Sequence, residues 1–138
     1  MMNILVHIFL IILLIQDLLY KEVEEQIIRI IFILAIIKLV LYDNYIVSYI
    51  SLSIYVLPFY IMYIVSTYLN KELVGLGDFK MIIIFAILIS SDDILKLITF
   101  YLVTYLFAFI YSIIVFKKTK YIPLIPWMYL GYIYVMYI

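Results

Sequence analysis

The sequence predicts an all-α, polytopic membrane bundle of six transmembrane helices, forming one domain over residues 1–138. Of the 138 residues, 70% are hydrophobic and 13% are charged, and the mean hydropathy is +1.30, far from the values of soluble domains. A membrane helix needs about 20 mostly apolar residues, so the chain can hold six spans with short connections. These values exclude a water-soluble fold.

The first three spans end where charges or turn residues interrupt the apolar sequence. Span one, near 3–19, lacks a basic n-region and a cleavage site, so it is expected to be retained rather than removed as a signal peptide. The charged segment 21–26 separates it from span two, near 27–42. Asp43 and Asn44 then precede span three, near 45–68.

The last three spans are expected near 73–91, 94–116 and 121–138, after connections at 70–72, 91–93 and 117–120. The fourth has an uninterrupted apolar core only over Met81–Ile89. It is long enough to cross the bilayer only if Leu73–Lys80 lie at membrane depth. Polar backbone and one acid would then lie near the bilayer.

The basic residues orient the bundle. Seven of the nine lie in or beside the first, third and fifth connections, whereas Lys38 and Lys96 are near the other two. Because basic loops stay in the cytoplasm, we expect a plasma-membrane protein with odd connections inside and both termini outside. The seven are Lys21, Arg29, Lys71, Lys80, Lys117, Lys118 and Lys120.

Several kinds of site are not expected. The chain has no cysteine and a single histidine, His7, which excludes disulfides and leaves too few soft ligands for zinc. The scattered basic residues do not suggest nucleic-acid binding. We expect His7, near the outer end of span one, to be an interfacial or interhelical hydrogen-bonding residue.

Two acids at membrane edges stand out, because charges there are costly and need an explanation. Asp17 lies at the cytoplasmic end of span one, and Asp78 lies at the same face in span four. Two facing carboxyl groups suit peptide hydrolysis, since one can stay protonated while the other activates water. The sequence leaves open which aspartate has which role. A structural alternative is that Asp17 only pairs with Lys21, one turn later.

The residues around Asp78 carry a family resemblance. Gly75-Leu-Gly77-Asp78-Phe-Lys80, opening a hydrophobic helix, resembles the GxGD aspartyl membrane peptidases, and Lys80 points to their type IV prepilin and archaeal preflagellin branch. The segments 17–23 and 122–131 resemble that branch's first active-site segment and its last helix, which has two prolines followed by a glycine.

The resemblance implies an aspartic endopeptidase that cleaves class III signal peptides of pilin-like or archaellin-like precursors at the cytoplasmic face. Asp17 and Asp78 would be catalytic, with no metal or organic cofactor. Gly75 and Gly77 would shape the cleft, through unusual torsions and close substrate approach, and Lys80 would bond an active-site acid or reach lipid headgroups. Acids near the site could attract a basic leader; these are Glu22, Glu24, Glu25 and Glu72.

Two departures from the family's sequence pattern limit the activity that the resemblance implies. Glu24 and Glu25 stand where bacterial members often have Pro-Asn, and the cysteine-bearing region associated with methylation is missing. We therefore expect peptidase activity without methyltransferase activity. The sequence does not indicate an oligomeric state.

Two alternatives remain. A presenilin-like or signal-peptide-peptidase-like protease would use Tyr42-Asp43 as the partner of Asp78, although the charge pattern places Asp43 at the opposite face. A noncatalytic membrane subunit or small transporter would use Asp17 and Asp78 as proton or ion-pair sites.

Overall fold

The computed structural model describes residues 2–20, 23–42, 44–70, 75–115 and 122–137. These residues form helices and no strands, which confirms the all-α class. The helices are α1 (Met2–Tyr20), α2 (Glu25–Tyr42), α3 (Tyr45–Leu69), α4 (Leu76–Ile89), α5 (Ile94–Val115) and α6 (Ile125–Tyr137). Each predicted span therefore contains a helix.

The fourth helix forms the centre of the bundle. It packs against α2, α3 and α6, whereas α1 packs against α2 and α6, and α5 packs against α6. From Met81 to Ile89 its side chains are buried, apart from the half-buried Ile83. A helix that is apolar on every face belongs in the core, which explains why the shortest apolar run of the sequence lies in the middle.

Polar side chains from two neighbouring helices complete the end of α4. The Lys38 ammonium donates to the Leu88 carbonyl at 2.7 Å, and the Ser51 hydroxyl donates to the Ala86 carbonyl at 2.8 Å. The hydroxyls of Ser48 and Ser90 are also hydrogen-bonded to each other. Because the last carbonyls of a helix lack partners within the helix, these contacts let α4 end inside an apolar surrounding.

Two of the helices differ in extent from the predicted spans. The fourth has 14 residues, which at 1.5 Å per residue is about 21 Å, less than the ~30 Å hydrocarbon core. The sixth begins at Ile125 rather than near 121, because Pro123 and Pro126 favour a helix start at this point.

Membrane-spanning length is met clearly by two helices of the described part of the chain. By length and composition, α3 and α5 could each cross a membrane. Residues 4–20 of α1 are a somewhat shorter apolar stretch. Large apolar side chains on the outer faces are exposed, as expected for a bundle in contact with lipid; examples are Ile46, Leu102 and Ile114.

Candidate active site

Asp17 lies in the last turn of α1 and is the one charged side chain that is buried among the described residues, with 6% of its surface exposed. One of its carboxylate oxygens, Oδ2, accepts a hydrogen bond from the backbone N–H of Ile125 at 3.1 Å. The two residues are 108 positions apart. A buried carboxylate needs such a donor, because burial without one is strongly unfavourable.

The donor belongs to the first residue of α6. The Leu124 carbonyl begins this helix by accepting from the N–H groups of Trp127 and Met128, at 3.1 and 3.0 Å. The N–H of Ile125 thus remains free of the helix and points to Asp17. The positive end of the α6 dipole therefore faces the carboxylate, which offsets the unfavourable negative end of α1 by about 0.3–1 kcal/mol.

Asp78 also lies at a helix N-terminus, in the first turn of α4. Gly75 has the extended backbone of an N-cap, with φ −71° and ψ 144°, and its N–H donates to the Asp78 carboxyl group. A carboxylate that reaches back from the third helical position to the N-cap amide is half of a capping box. The Asp78 side chain is thereby held at the helix start.

The structure places the two aspartates at the same end of the bundle, where the charge of Asp17 acts on Asp78. Asp17 and Asp78 are close enough for their charges to repel each other, and no hydrogen bond joins them directly in the described part of the chain. They come from α1 and α4, and α6 contacts both of these helices. The C-terminal end of α1 and the N-terminal ends of α4 and α6 therefore meet at one end of the bundle.

The chain matches the sequence model of a known protein family. The sequence model of the type IV leader peptidase family matches residues 4–116. The chain belongs to this family. The matched region contains Asp17, Gly75, Gly77, Asp78 and Lys80. It ends before α6 begins. No curated protein and no solved structure matches the chain.

Membership confirms the family that the sequence motifs indicated, and it implies peptidase activity at a membrane. The type IV leader peptidase family acts on prepilin-like substrates, so a membrane site that hydrolyses a peptide bond is required. The two helix ends that carry Asp17 and Asp78 are the candidate for it.

The glycines of this leader peptidase do not need unusual torsions, so that part of the expectation was wrong. No described glycine has a positive φ. A Cβ on Gly75 would lie 3.2 Å from Oδ2 of Asp78, whereas a Cβ on Gly77 would meet nothing within 4 Å. Gly75 therefore leaves space for the carboxylate, and Gly77 leaves open space beside it.

Lys80 binds neither aspartate in the described part of the chain. Its ammonium is hydrogen-bonded to Glu25 at the start of α2, and Glu25 also accepts from Arg29 at 3.0 Å. These two bases, Lys80 first, lower the pKa of the exposed Glu25 carboxyl group. The expected bond between Lys80 and an active-site acid is thus replaced by a link between α4 and α2, and Glu25 is already paired with two bases.

Other sequence expectations concern the remaining charged residues. His7 shares a 3.0 Å hydrogen bond with the Tyr129 hydroxyl, which confirms an interhelical role between α1 and α6. Within the described ranges, no three His, Asp or Glu side chains are grouped to hold a metal.

Some of the residues discussed above lie outside the described part of the chain: Lys21, Glu22, Asp43, Lys71, Glu72, Lys117, Lys118 and Lys120.

The presenilin-like alternative can still be compared with the position of α2. This helix starts at Glu25, which binds Lys80 near Asp78, and it ends at Tyr42. Its 18 residues extend about 27 Å. Tyr42 therefore lies at the opposite end of α2 from Asp78, and Asp43 lies outside the described residues.

Sequence reasoning missed two groups at the site. The N–H of Ile125 is a backbone group, and only the flanking Pro123 and Pro126 could have suggested a helix start there. The second group, near the site, is Tyr105 of α5: its hydroxyl donates to Met62 Sδ at 3.7 Å, and the charge of Asp78 acts on it. Nothing in the sequence distinguishes Tyr105 from the other 15 of the 16 tyrosines.

Proposed function

We propose that this type IV leader peptidase is an aspartic endopeptidase in which Asp17 and Asp78 activate water together. The observation that carries the proposal is their position: two carboxyl groups from separate helices lie at one end of the bundle, and each accepts from an amide at the start of a helix. Burying a charge in a membrane bundle is costly. A catalytic role gives a reason to keep two acids at this end of the bundle.

The chemistry follows from one shared proton. The ionised carboxylate takes a proton from water as the water oxygen attacks the scissile carbonyl carbon, and the protonated partner donates to the carbonyl oxygen. The resulting tetrahedral intermediate collapses when the C–N bond breaks and a proton passes to the departing amine. The products are a leader with a new carboxylate and a mature chain with a free amino group.

The proposed setting is the plasma membrane, with six spans, both termini outside and the aspartates at the cytoplasmic face. It is supported by the basic residues of the odd connections and by the shared end of α1, α4 and α6. The short α4 can take part because its surface is covered by its neighbours, so its ends need not reach the lipid boundary.

The proposed substrates are prepilin-like precursors with a basic leader and a hydrophobic helix. Glu24 is exposed beside the start of α2 and can attract such a leader, whereas Glu25 is already paired. The open space at Gly77 lets an extended peptide approach Asp78. Lys80 contributes to the cleft by tying α4 to α2.

Co-expression with a pilin-like precursor tests the proposal. Asp17→Asn and Asp78→Asn should each lower precursor processing, measured by mobility shift, by about 10²–10⁴-fold, because general acid–base catalysis contributes that much. Asp92→Asn is the matched control, since Asp92 is exposed on the turn after the other end of α4. Its processing should equal that of the wild type.

The same experiment distinguishes the remaining alternative. Full processing by either membrane-inserted aspartate variant would reject the two-aspartate mechanism. A noncatalytic subunit or transporter would show no processing by the wild type, and loss of either acid would alter assembly or proton transport instead.

A further inference from the structure

The start of α6 presents an isolated amide to Asp17. Pro123 and Pro126 have no N–H, so only Leu124 and Ile125 can donate from the backbone over these four residues. The Ile125 N–H is directed at Oδ2 of Asp17, and the next two amides, of Trp127 and Met128, bond to the Leu124 carbonyl. The prolines thus fix one donor at one place.

We propose that the Ile125 amide assigns the catalytic roles: it holds Asp17 as the carboxylate that acts as the base, and leaves the shared proton on Asp78. This inference rests on the proposed two-aspartate function and deepens it. Ile125 acts through Asp17, so it is a positioning residue. Its contribution comes from the main chain, which is why its side chain gives no indication of it.

The physical reason is that an N–H donor at a helix N-terminus stabilises the ionised form of a carboxyl group over the neutral form. Burial of Asp17 opposes its charge, and Asp78 has a backbone donor of its own, the Gly75 amide. The assignment therefore depends on the Ile125 amide, which the two prolines fix, being the stronger donor. A buried carboxylate with a fixed donor keeps its charge, and that charge then acts on Asp78.

Few other charges face Asp17 from the helices that pack against α1. From α6, the first turn, Ile125–Met128, has no titratable side chain. From α2, Glu25 and Arg29 are exposed and paired with each other. From α4, Asp78 is the group whose charge interacts with Asp17, since Lys80 is paired with Glu25.

Along α1 itself, Tyr20 is exposed and His7 lies toward the other end. Lys21 and Glu22 lie outside the described residues.

The pH profile can identify which aspartate is ionised in the active state. A pair of acids that is active with one shared proton loses activity at low pH, where it binds a second proton, and at high pH, where it loses the shared proton. These two losses are the acid limb and the alkaline limb of the pH profile. If Asp17 is ionised in the active state, the Ile125 amide stabilises both the active and the fully ionised states. Removing the amide then moves only the acid limb, to higher pH. If Asp78 is ionised instead, the amide stabilises only the fully ionised state, and its removal moves only the alkaline limb.

Ile125→Pro removes the amide but places a ring carbon where the N–H faces Oδ2 of Asp17, so the ester variant described below is needed to separate loss of the donor from displacement of the carboxylate. Proline is well tolerated at the first helical position, and Leu124, which precedes it, is outside the helix. Ile125→Ala is the matched control, because it keeps the N–H but also loses the buried Ile125 side chain. Both variants are compared with the wild type as full-length protein in lipid nanodiscs.

The readout is kcat/KM between pH 4 and pH 9 for a synthetic precursor with a short basic leader and a hydrophobic helix. We expect Ile125→Pro to shift the acid limb upward by about one to two pH units, the size expected for one hydrogen bond to a charged group. Its alkaline limb, and both limbs of Ile125→Ala, should stay at the wild-type positions.

Three results would overturn the inference while leaving the proposed function intact: a shift of the alkaline limb alone, no shift of either limb, or the same shift in Ile125→Ala. Failure of the wild type to cleave any precursor would instead reject the proposed function. Whether or not the proline variant folds, the α-hydroxy acid analogue of isoleucine, incorporated at position 125, replaces the amide by an ester, keeps the side chain and adds no ring. The same limb shifts, compared with protein made in the same way with isoleucine, then decide the question.

Discussion

Both aspartates are stabilised at the start of a helix, but in different ways. Asp78 lies on the helix whose N-cap amide it accepts from, so its position is set locally by Gly75. Asp17 accepts from a helix that begins 108 residues later. The local contact forms with α4 itself, whereas the distant one forms only when α1 and α6 are packed together. Folding and the completion of the site are therefore coupled through Asp17.

Gly77 allows a test of the cleft at a single residue. A Cβ at this position meets nothing within 4 Å, so Gly77→Ala should not lower the melting temperature in detergent. Cleavage of a precursor should nevertheless fall by about tenfold or more, because displacing a substrate slightly from its reactive position is costly. Cleavage at the wild-type rate would show that the substrate does not pass Gly77.

Part of the site could be predicted from residues in the sequence. Asp17 and Asp78 were recognisable as candidates because charges at the ends of apolar runs are rare, and Gly75 and Gly77 because they precede one of these acids; their roles stay a prediction. The Ile125 amide could not be predicted, since any non-proline residue has the same group. The partner of Lys80 was also missed, because the sequence does not indicate which of several nearby glutamates faces it.

At the scale of elements, α4 is held at both ends by its neighbours. Lys80 links its start to α2, and the Lys38 and Ser51 side chains bond to carbonyls near its end. These contacts explain why its limits differ from those of the predicted span, since polar partners on other helices decided where it could end. The starts of α2 and α3, by contrast, follow charged or turn residues that are visible in the sequence.

The contact between α5 and α6 depends on a small residue. A Cβ on Gly131 would lie 2.6 Å from the Thr104 hydroxyl and 2.8 Å from the Phe100 carbonyl oxygen, too close for the backbones to remain in place. Gly131→Ala should therefore lower the free energy of unfolding by about 1–3 kcal/mol, the usual cost of overpacking. Thermal or denaturant unfolding in detergent measures it.

Gly77→Ala is the matched control for that measurement, because the same substitution there meets open space. Equal stabilities of the two variants would contradict the close packing at Gly131. A loss confined to Gly131→Ala would support it and would also show that α6 is held firmly where it presents Ile125 to Asp17.

At the scale of the whole molecule, the bundle has two different ends. One end assembles the C-terminus of α1 with the N-termini of α4 and α6, and it holds both aspartates. Toward the other, the hydroxyls of Ser48 and Ser90 and the Lys38 ammonium complete α4. Membership in the type IV leader peptidase family makes the first end the place to look for hydrolysis, and the account depends on the two acids meeting there.

Because the sequence contains no cysteine, introduced cysteines can test directly whether positions 17 and 78 lie close together. Asp17→Cys combined with Asp78→Cys can be treated with dibromobimane, which becomes fluorescent when it joins two nearby thiols. The control pair is Asp17→Cys with Asp92→Cys, because Asp92 follows the opposite end of α4, about 21 Å along that helix. We expect fluorescence within single chains of the first pair and none in the control. Absence of the signal in the first pair, while each single cysteine still reacts with a monofunctional thiol reagent, would contradict the account.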